Sequence, residues 1–332
     1  MIFKFGSFNL KNLSRGIMTK RDFSMIATII RKEEFDIVAF QEILSEGQAL
    51  DSLVKNFLPG WDIRWGEPKE AIDPSKNKDK RGEGYAFIWN TKRLTLASSS
   101  TVSGERVYEP RSVSDAIRFD SRFFARTPYY ARFVPVNGGF FEFRLIDVHL
   151  HFGNNNKDEI QKRKEEFAYL TERIYPTISQ ERRYGNNREA YTIVMGDYNL
   201  NLYKYRREAE KRINKNTYIE PIVTVGVQQI VTVQDELTTL KTTIRDEQTD
   251  DDNPKRGYAQ NYDHFSFDVT RFEREGILYK ARRIDAVRKY CKDDFELYNA
   301  TVSDHVPIAL TVIMNETAAR TAEDKDGGSN DD

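Results

Sequence analysis

The 332-residue sequence has one cysteine, four histidines and no excess of charge of either sign, with 51 basic against 52 acidic residues. Each scarcity excludes something. A lone thiol, Cys291, cannot close an internal disulfide, which fits a reducing compartment. The "HLH" of His149 to His151 is followed by no third His or Cys at ligand spacing, so a zinc site is not expected. No apolar run is long enough to span a bilayer, and no membrane partner is expected. Balanced charge provides no global basic field, so a polyanion would have to be drawn in by local clusters. The opening "MIFKFGSFNLKN" lacks a basic n-region, a sustained apolar stretch and a small-residue cleavage site. No signal peptide is therefore expected, and the expected location is cytoplasmic, with export by a non-classical route left open.

What is present suits a folded domain: 39% apolar and 12% aromatic residues, in a chain long enough for a sizeable core. Apolar residues three and four apart predict amphipathic helices over Asp22 to Phe35, Gln48 to Leu58 and Lys157 to Tyr175. Short β-rich runs predict strands at Phe3 to Phe8, Ile37 to Phe40, Tyr85 to Trp89, Ala131 to Pro135 and Phe141 to His149. Further strands are expected at Tyr191 to Met195, Gln229 to Val233, Asp263 to Phe267 and Val306 to Ile313. The mixture implies a layered α/β sandwich in a single domain over residues 1–314, without internal repeat or linker. Gly66 to Gly84 and Lys241 to Gln260 read as polar loops, and 315–332 as a disordered polar tail.

Several strand-like runs finish in oxygen or imidazole groups. Asn9 follows Phe8, Gln41 and Glu42 follow "DIVAF", His149 follows "FRLIDV", Asp197 and Asn199 follow "TIVM", and His305 precedes the last strand. Strand ends at one rim of a sheet are where scaffolds place ligands and catalysts. Asn9, Glu42, Asp197, Asn199 and Asp304 are hard oxygen donors of the kind that suits Mg²⁺ or Mn²⁺. Two histidines beside such an ion would move protons while water attacks phosphorus. Period two along a strand is expected to put Asp197 and Asn199 on one face.

These residues, in this order, resemble the endonuclease/exonuclease/phosphatase superfamily, and within it most closely the DNase I branch. The resemblance runs from "SFNLKN" through "VAFQEI", "GEGYAFIW", "FFARTPYYARF", "DVHL", "VMGDYNLN" and "NYDHF" to "SDHVPIALTV". It implies a four-layered α/β/β/α sandwich of two packed, mainly antiparallel sheets flanked by helices. It also implies a metal site at Glu42, Asn9, Asp304, Asp197 and Asn199, holding Mg²⁺ or Mn²⁺ with Ca²⁺ as a further option. His305, oriented by Asp263, would be the general base, and His149, supported by Glu83, the acid on the leaving oxygen. Arg126 and Tyr262 fall where DNase I-like enzymes contact substrate. The implied activity is metal-dependent hydrolysis of a nucleic-acid backbone, DNA first, with weak sequence preference. The same fold acting on RNA, a phospholipid or a small phosphoester is the alternative, as is a non-catalytic binding member. Secreted DNase I-type enzymes carry disulfides and signal peptides, which this chain lacks. Inositol-phosphatase relatives carry a "WxDRI"-like segment where this chain has "NYDHF", and abasic-site endonucleases an amide in place of His149.

Each residue also has an ordinary reading. Strand-ending Asp and Asn are commonly turn formers, and His151 and His264 are expected to be hydrogen-bonded structural histidines. Neighbours such as Ser303, Asp304 and His305 cannot easily form a nucleophile, base and orienter chain. The basic clusters Lys76 to Arg81, Arg118 to Arg132, Arg182 to Arg188 and Lys204 to Arg212 are by default solvated faces, and Trp61, Trp65 and Trp89 core or interface residues.

Overall fold

The computed structural model describes residues 1–14, 20–44, 48–66, 83–101, 104–107, 109–120, 123–153, 156–180, 189–202, 218–241 and 257–314. Three of the basic clusters (Lys76 to Arg81, Arg182 to Arg188, Lys204 to Arg212), most of both predicted loops and the tail from Asn315 lie outside the described residues.

Alternation along the strands organises the molecule. Successive side chains of a strand point to opposite faces. In Ile2–Leu13, Phe3 and Phe5 enter one apolar core while Phe8 and Leu10 enter another. In Phe141–His149, Phe141, Phe143 and Leu145 face that first core, and Ile146 and Val148 a third. Three separate cores require four layers. A six-stranded sheet runs in the order Leu278–Arg283, Ile308–Ile313, Ile2–Leu13, Ile37–Ile43, Gly84–Asn90, Trp61–Gly66. An eight-stranded sheet runs Ile222–Val225, Gln228–Val233, Asp263–Asp268, Glu189–Asp197, Phe141–His149, Tyr129–Pro135, Leu94–Leu96, with Arg111–Ser112 also on Tyr129–Pro135. Within these two sheets pairing is antiparallel except for Ile2–Leu13 with Ile37–Ile43 and Phe141–His149 with Glu189–Asp197. The expected α/β/β/α sandwich is the observed architecture.

The helices keep their outer layers by ordinary means. Asp22 caps Phe23–Lys32, accepting from the Met25 amide at 2.8 Å, and Glu34 turns left-handed at φ 55°, so the helix is shorter than Asp22 to Phe35. The predicted helix from Lys157 extends further than expected. It passes from Lys157–Tyr169 through a π-turn at Leu170–Ile174 into Tyr175–Gln180, and Pro176, which has no N–H to give to the helical ladder, follows directly on the π-turn. One basic cluster is not a solvated face. Within Arg118 to Arg132, Arg132 is 5% exposed and paired with Glu142, and Arg126 is also largely buried, because both serve carboxylates inside the fold.

Between the sheets the core changes character along each strand. The inward face of Ile2–Leu13 reads Phe3, Phe5, Ser7, Asn9, and that of Phe141–His149 reads Phe141, Phe143, Leu145, Asp147, His149. Apolar packing thus gives way to buried polar groups and then to the rim. Gln41 Nε2 donates to Asp147 Oδ1 at 2.5 Å and to Ser7 Oγ at 3.1 Å, stitching the two sheets. Burial pushes the Asp147 carboxyl well above its ordinary range, against the opposing pull of the Gln41 hydrogen bond.

Candidate active site

At this rim the register lines up one row. His149 pairs with Asp197 across the parallel strands, and Asp197 with Asp263 across the next antiparallel pair. The six-stranded sheet contributes Asn9 and Glu42 from its own parallel pair. Strict alternation would send Glu42 to the helix side with Phe40. A register shift between Phe40 and Ile43 and a left-handed Glu42 (φ 60°) return its carboxylate to Asn9. Lys11 (φ 48°) and Asn12 (φ 54°) are left-handed too, where Ile2–Leu13 shifts register. The Asn12 amide donates to Glu42 Oε2 at 2.8 Å.

Asp197 is the hub. Its Oδ2 lies 3.7 Å from His149 Nε2 and 3.6 Å from His305 Nε2, and accepts from Asn9 Nδ2 at 3.1 Å. The same Asn9 nitrogen reaches Glu42 Oε1 at 2.9 Å, while Asn9 Oδ1 accepts from the Lys11 amide at 2.9 Å. Each histidine is braced from its other nitrogen. His305 Nδ1 is 2.8 Å from Asp263 Oδ2, and His149 Nδ1 is 3.0 Å from Glu83 Oε2. Burial opposes protonation of His305, but the carboxylates of Asp263, Asp197 and Asp304 outweigh it and hold its pKa well above the ordinary histidine range. Burial likewise disfavours the Glu83 anion, yet His149 and Arg126 bring that carboxyl down to about 2.

Arg126 is oriented by this set rather than left free. Its Nε donates to Glu83 Oε2 at 2.5 Å and one terminal nitrogen to the carbonyls of His149 (3.3 Å) and Leu150 (3.2 Å). Asp304 meets the Lys11 ammonium at 3.8 Å. The "GDYN" geometry needs a correction: the strand ends at Asp197, so period two does not reach Asn199. Asn199 is left-handed (φ 51°), and its amide donates to Asp197 Oδ1 at 2.9 Å, so a side-chain-capped turn aligns the pair. Its Nδ2 is spent on the Leu150 carbonyl at 3.0 Å.

A cavity of about 340 Å³ collects Glu42, Glu83, Arg126, His149, Asp197, Asn199, Tyr262, Asp304 and His305; Asn9 and Asp263 stand behind its wall. Sequence reasoning missed Lys11, Asn12, Phe152, Thr239 and Leu240 in the lining. Phe152 is 66% exposed at the rim. Lys11 and Asn12 lie within "SFNLKN"; for Leu240, bridged to Tyr258, no local signal exists. His151 pairs with Glu159, and His264 is buried between the carbonyls of Gln234 and Leu200, both at 2.9 Å. The Ser303 hydroxyl donates to the Asn9 carbonyl at 2.7 Å, a structural bond that leaves no Ser303 nucleophile.

No protein-family model matches this sequence, and no curated protein matches it. Solved structures do. An endonuclease/exonuclease/phosphatase family protein from Bacteroides thetaiotaomicron superposes with a TM-score of 0.54 at 16% identity, covering 95% of this chain and 99% of that one. TDP2 from C. elegans gives 0.52 at 14% identity, over 94% of this chain and 75% of its own. TDP2 from D. rerio, complexed with single strand DNA product, gives 0.52 at 14% identity, over 94% and 99%. The chain thus has the DNase I-like fold of the endonuclease/exonuclease/phosphatase proteins.

Proposed function

We propose that this protein is a divalent-metal-dependent phosphodiesterase that hydrolyses a nucleic-acid backbone, DNA foremost. The observation that carries the reading is the pair of imidazole Nε2 atoms flanking one Asp197 oxygen at 3.7 and 3.6 Å, each braced by its own carboxylate. The donor set fits a hard cation. Four carboxylates (Glu42, Glu83, Asp197, Asp304) face the cavity beside two side chains of permanent positive charge, Lys11 and Arg126. Asp197, Asp263 and His305 have ligand-type atoms within 4.8 Å of one another. The His305–Asp263 bond engages two of these, so Glu42, Asp197 and Asp304 would hold the ion. When bound, Mg²⁺ or Mn²⁺ neutralises charge on the phosphoryl oxygens.

The chain's own residues supply the proton transfers. His305 Nε2 would take a proton from the attacking water once a bound cation offsets the carboxylates that otherwise hold it protonated, with Asp263 holding the imidazolium. The water oxygen bonds to phosphorus as the phosphorus–oxygen bond to the leaving group breaks. His149 Nε2 delivers the proton to that oxygen, with Glu83 behind it. Tyr262 and Phe152 line the same cavity, and aromatic side chains there would suit a base-bearing substrate. The single strand DNA product bound to TDP2 from D. rerio supports the same substrate class.

Plasmid nicking with Mg²⁺, with EDTA, and with His149→Ala and His305→Ala tests the proposal. Nicking is expected with Mg²⁺ only, and loss in each variant of about 10²–10⁴-fold, the usual contribution of a positioned acid or base. Robust nicking by both variants would sink the mechanism. Faster turnover of RNA, liposomes or a soluble phosphodiester than of DNA would move the substrate assignment.

A further inference from the structure

The helix Lys157–Tyr169 carries a contradiction on its inner face. Ile160, Phe167, Leu170 and Ile174 form an apolar stripe, and position 163 falls in the middle of it, yet holds an arginine that is 1% exposed. Glu166, on the flank of the same stripe, is also 1% exposed. Two buried ionic groups are costly, and apolar residues of similar volume in such places are often neutral or stabilising. Stability of the helix layer therefore does not account for them.

Their partners do. Arg163 donates to the Asn199 carbonyl at 3.2 Å and the Gly153 carbonyl at 2.6 Å, and also bonds the Tyr262 hydroxyl. Glu166 accepts the Ala125 amide at 2.7 Å on one oxygen and the His151 amide at 2.6 Å on the other. Ala125 precedes Arg126, which holds Glu83 against His149, and His151 follows His149 by two residues. Asn199 closes the turn on Asp197. One helix face thus grips both halves of the site: the Glu83–His149 half through Glu166, and the Asp197–Asn199–Tyr262 half through Arg163.

We propose that Arg163 and Glu166 are positioning residues, a two-pronged clamp that keeps the His149 half and the Asp197 half of the site in register. The planar guanidinium fork suits two carbonyls from different segments, which a lysine ammonium cannot bridge in the same way. A carboxylate offers a separate accepting oxygen to each amide, whereas Gln would turn a donating NH₂ group toward one of them. The inference rests on the phosphodiesterase reading only for its kinetic readout.

The test uses Glu166→Gln, Arg163→Met and Arg163→Lys in the full chain. Steady-state hydrolysis of bis(p-nitrophenyl) phosphate with Mg²⁺ is measured beside melting temperature. Second-sphere support of this kind typically contributes about 10–100-fold. That loss is expected in kcat for Glu166→Gln and Arg163→Met, with KM nearly unchanged and Arg163→Lys intermediate. A second readout needs no turnover: side-chain and backbone ¹H–¹⁵N spectra of the metal-free protein. Glu166→Gln is expected to move the His149 ring signals, and Arg163→Met the Asn199 amide. Folded variants with unmoved signals and unchanged kcat would overturn the clamp, including the case in which only melting temperature falls. If the wild type hydrolyses no phosphodiester, the functional reading fails while the spectra still decide the clamp. Should Arg163→Met not fold, Arg163→Lys and Glu166→Gln decide it.

Discussion

Asp197 and the two histidines beside it were visible as residue types at the ends of β-rich runs, and their chain-distant partners were not visible by any local rule. The "YDH" and "GEGY" segments acquired meaning only through the order of motifs along the chain. What no pattern disclosed is orientation. Asn9 turns its amide nitrogen to Glu42 and Asp197 at 2.9 and 3.1 Å, and Asn199 reaches the cavity through a left-handed turn. Both depend on φ values that sequence periodicity does not encode. At this scale Asp263→Asn should leave His305 without its leading anionic neighbour, and the nicking rate is expected to fall by about 10–100-fold. An unchanged rate would contradict the orienting role. Glu83 yields a stability prediction. Its folded carboxyl is held at about 2 against an ordinary 4.5, so the stabilisation is complete above about pH 4.5 and drains away as pH falls toward 2. The difference in melting temperature between wild type and Glu83→Gln should therefore shrink between pH 6 and pH 3. An equal gap at both pH values would refute it.

The elements that sequence pattern located are those buried on both faces or with strong alternation, such as Ile37–Ile43, Phe141–His149 and Glu189–Asp197. Those it missed are edge or short strands. Trp61–Gly66 is half-buried at every position and Leu278–Arg283 is exposed along its first half, so neither shows a period of two. Between the parallel strands that carry the site, Gly196 sits at φ 144°, and a Cβ there would lie 2.0 Å from the Val148 carbonyl oxygen. Gly196→Ala combines that clash with backbone strain of about 1–3 kcal/mol. A lower urea midpoint together with impaired nicking is expected, since His149 and Asp197 flank the collision on the two strands. A variant with the wild-type midpoint would show that the strands can part there without cost.

For the molecule as a whole, the two sheets meet through aromatic packing. Phe143 of the eight-stranded sheet lies 5.0 and 4.8 Å from the rings of Phe3 and Phe5 in the six-stranded sheet. Phe143→Ala should cost about 3–5 kcal/mol in urea denaturation. Its kcat at temperatures where the variant is folded should stay close to wild type, because Leu145 and Asp147 separate it from His149 along the same face. A large kcat loss in the folded variant would mean that sheet separation itself tunes the site. The layered architecture could be anticipated because the order of motifs constrains topology.

The first strand, Ile2–Leu13, is not at an edge: it lies between Ile37–Ile43 and Ile308–Ile313, and the amino group of Met1 donates to the Met314 carbonyl at 2.9 Å. Asn9 comes from that strand and His305 from the segment just before its last-made neighbour. A growing chain therefore holds neither a complete six-stranded sheet nor His305 beside Asp197 until that last strand has been made. Chains stalled before Leu278, which lack His305, should show no Mg²⁺-dependent nicking in the plasmid assay. The order of synthesis thus makes the rim wait: the residues made first stay without their partners until Ile308–Ile313 has emerged.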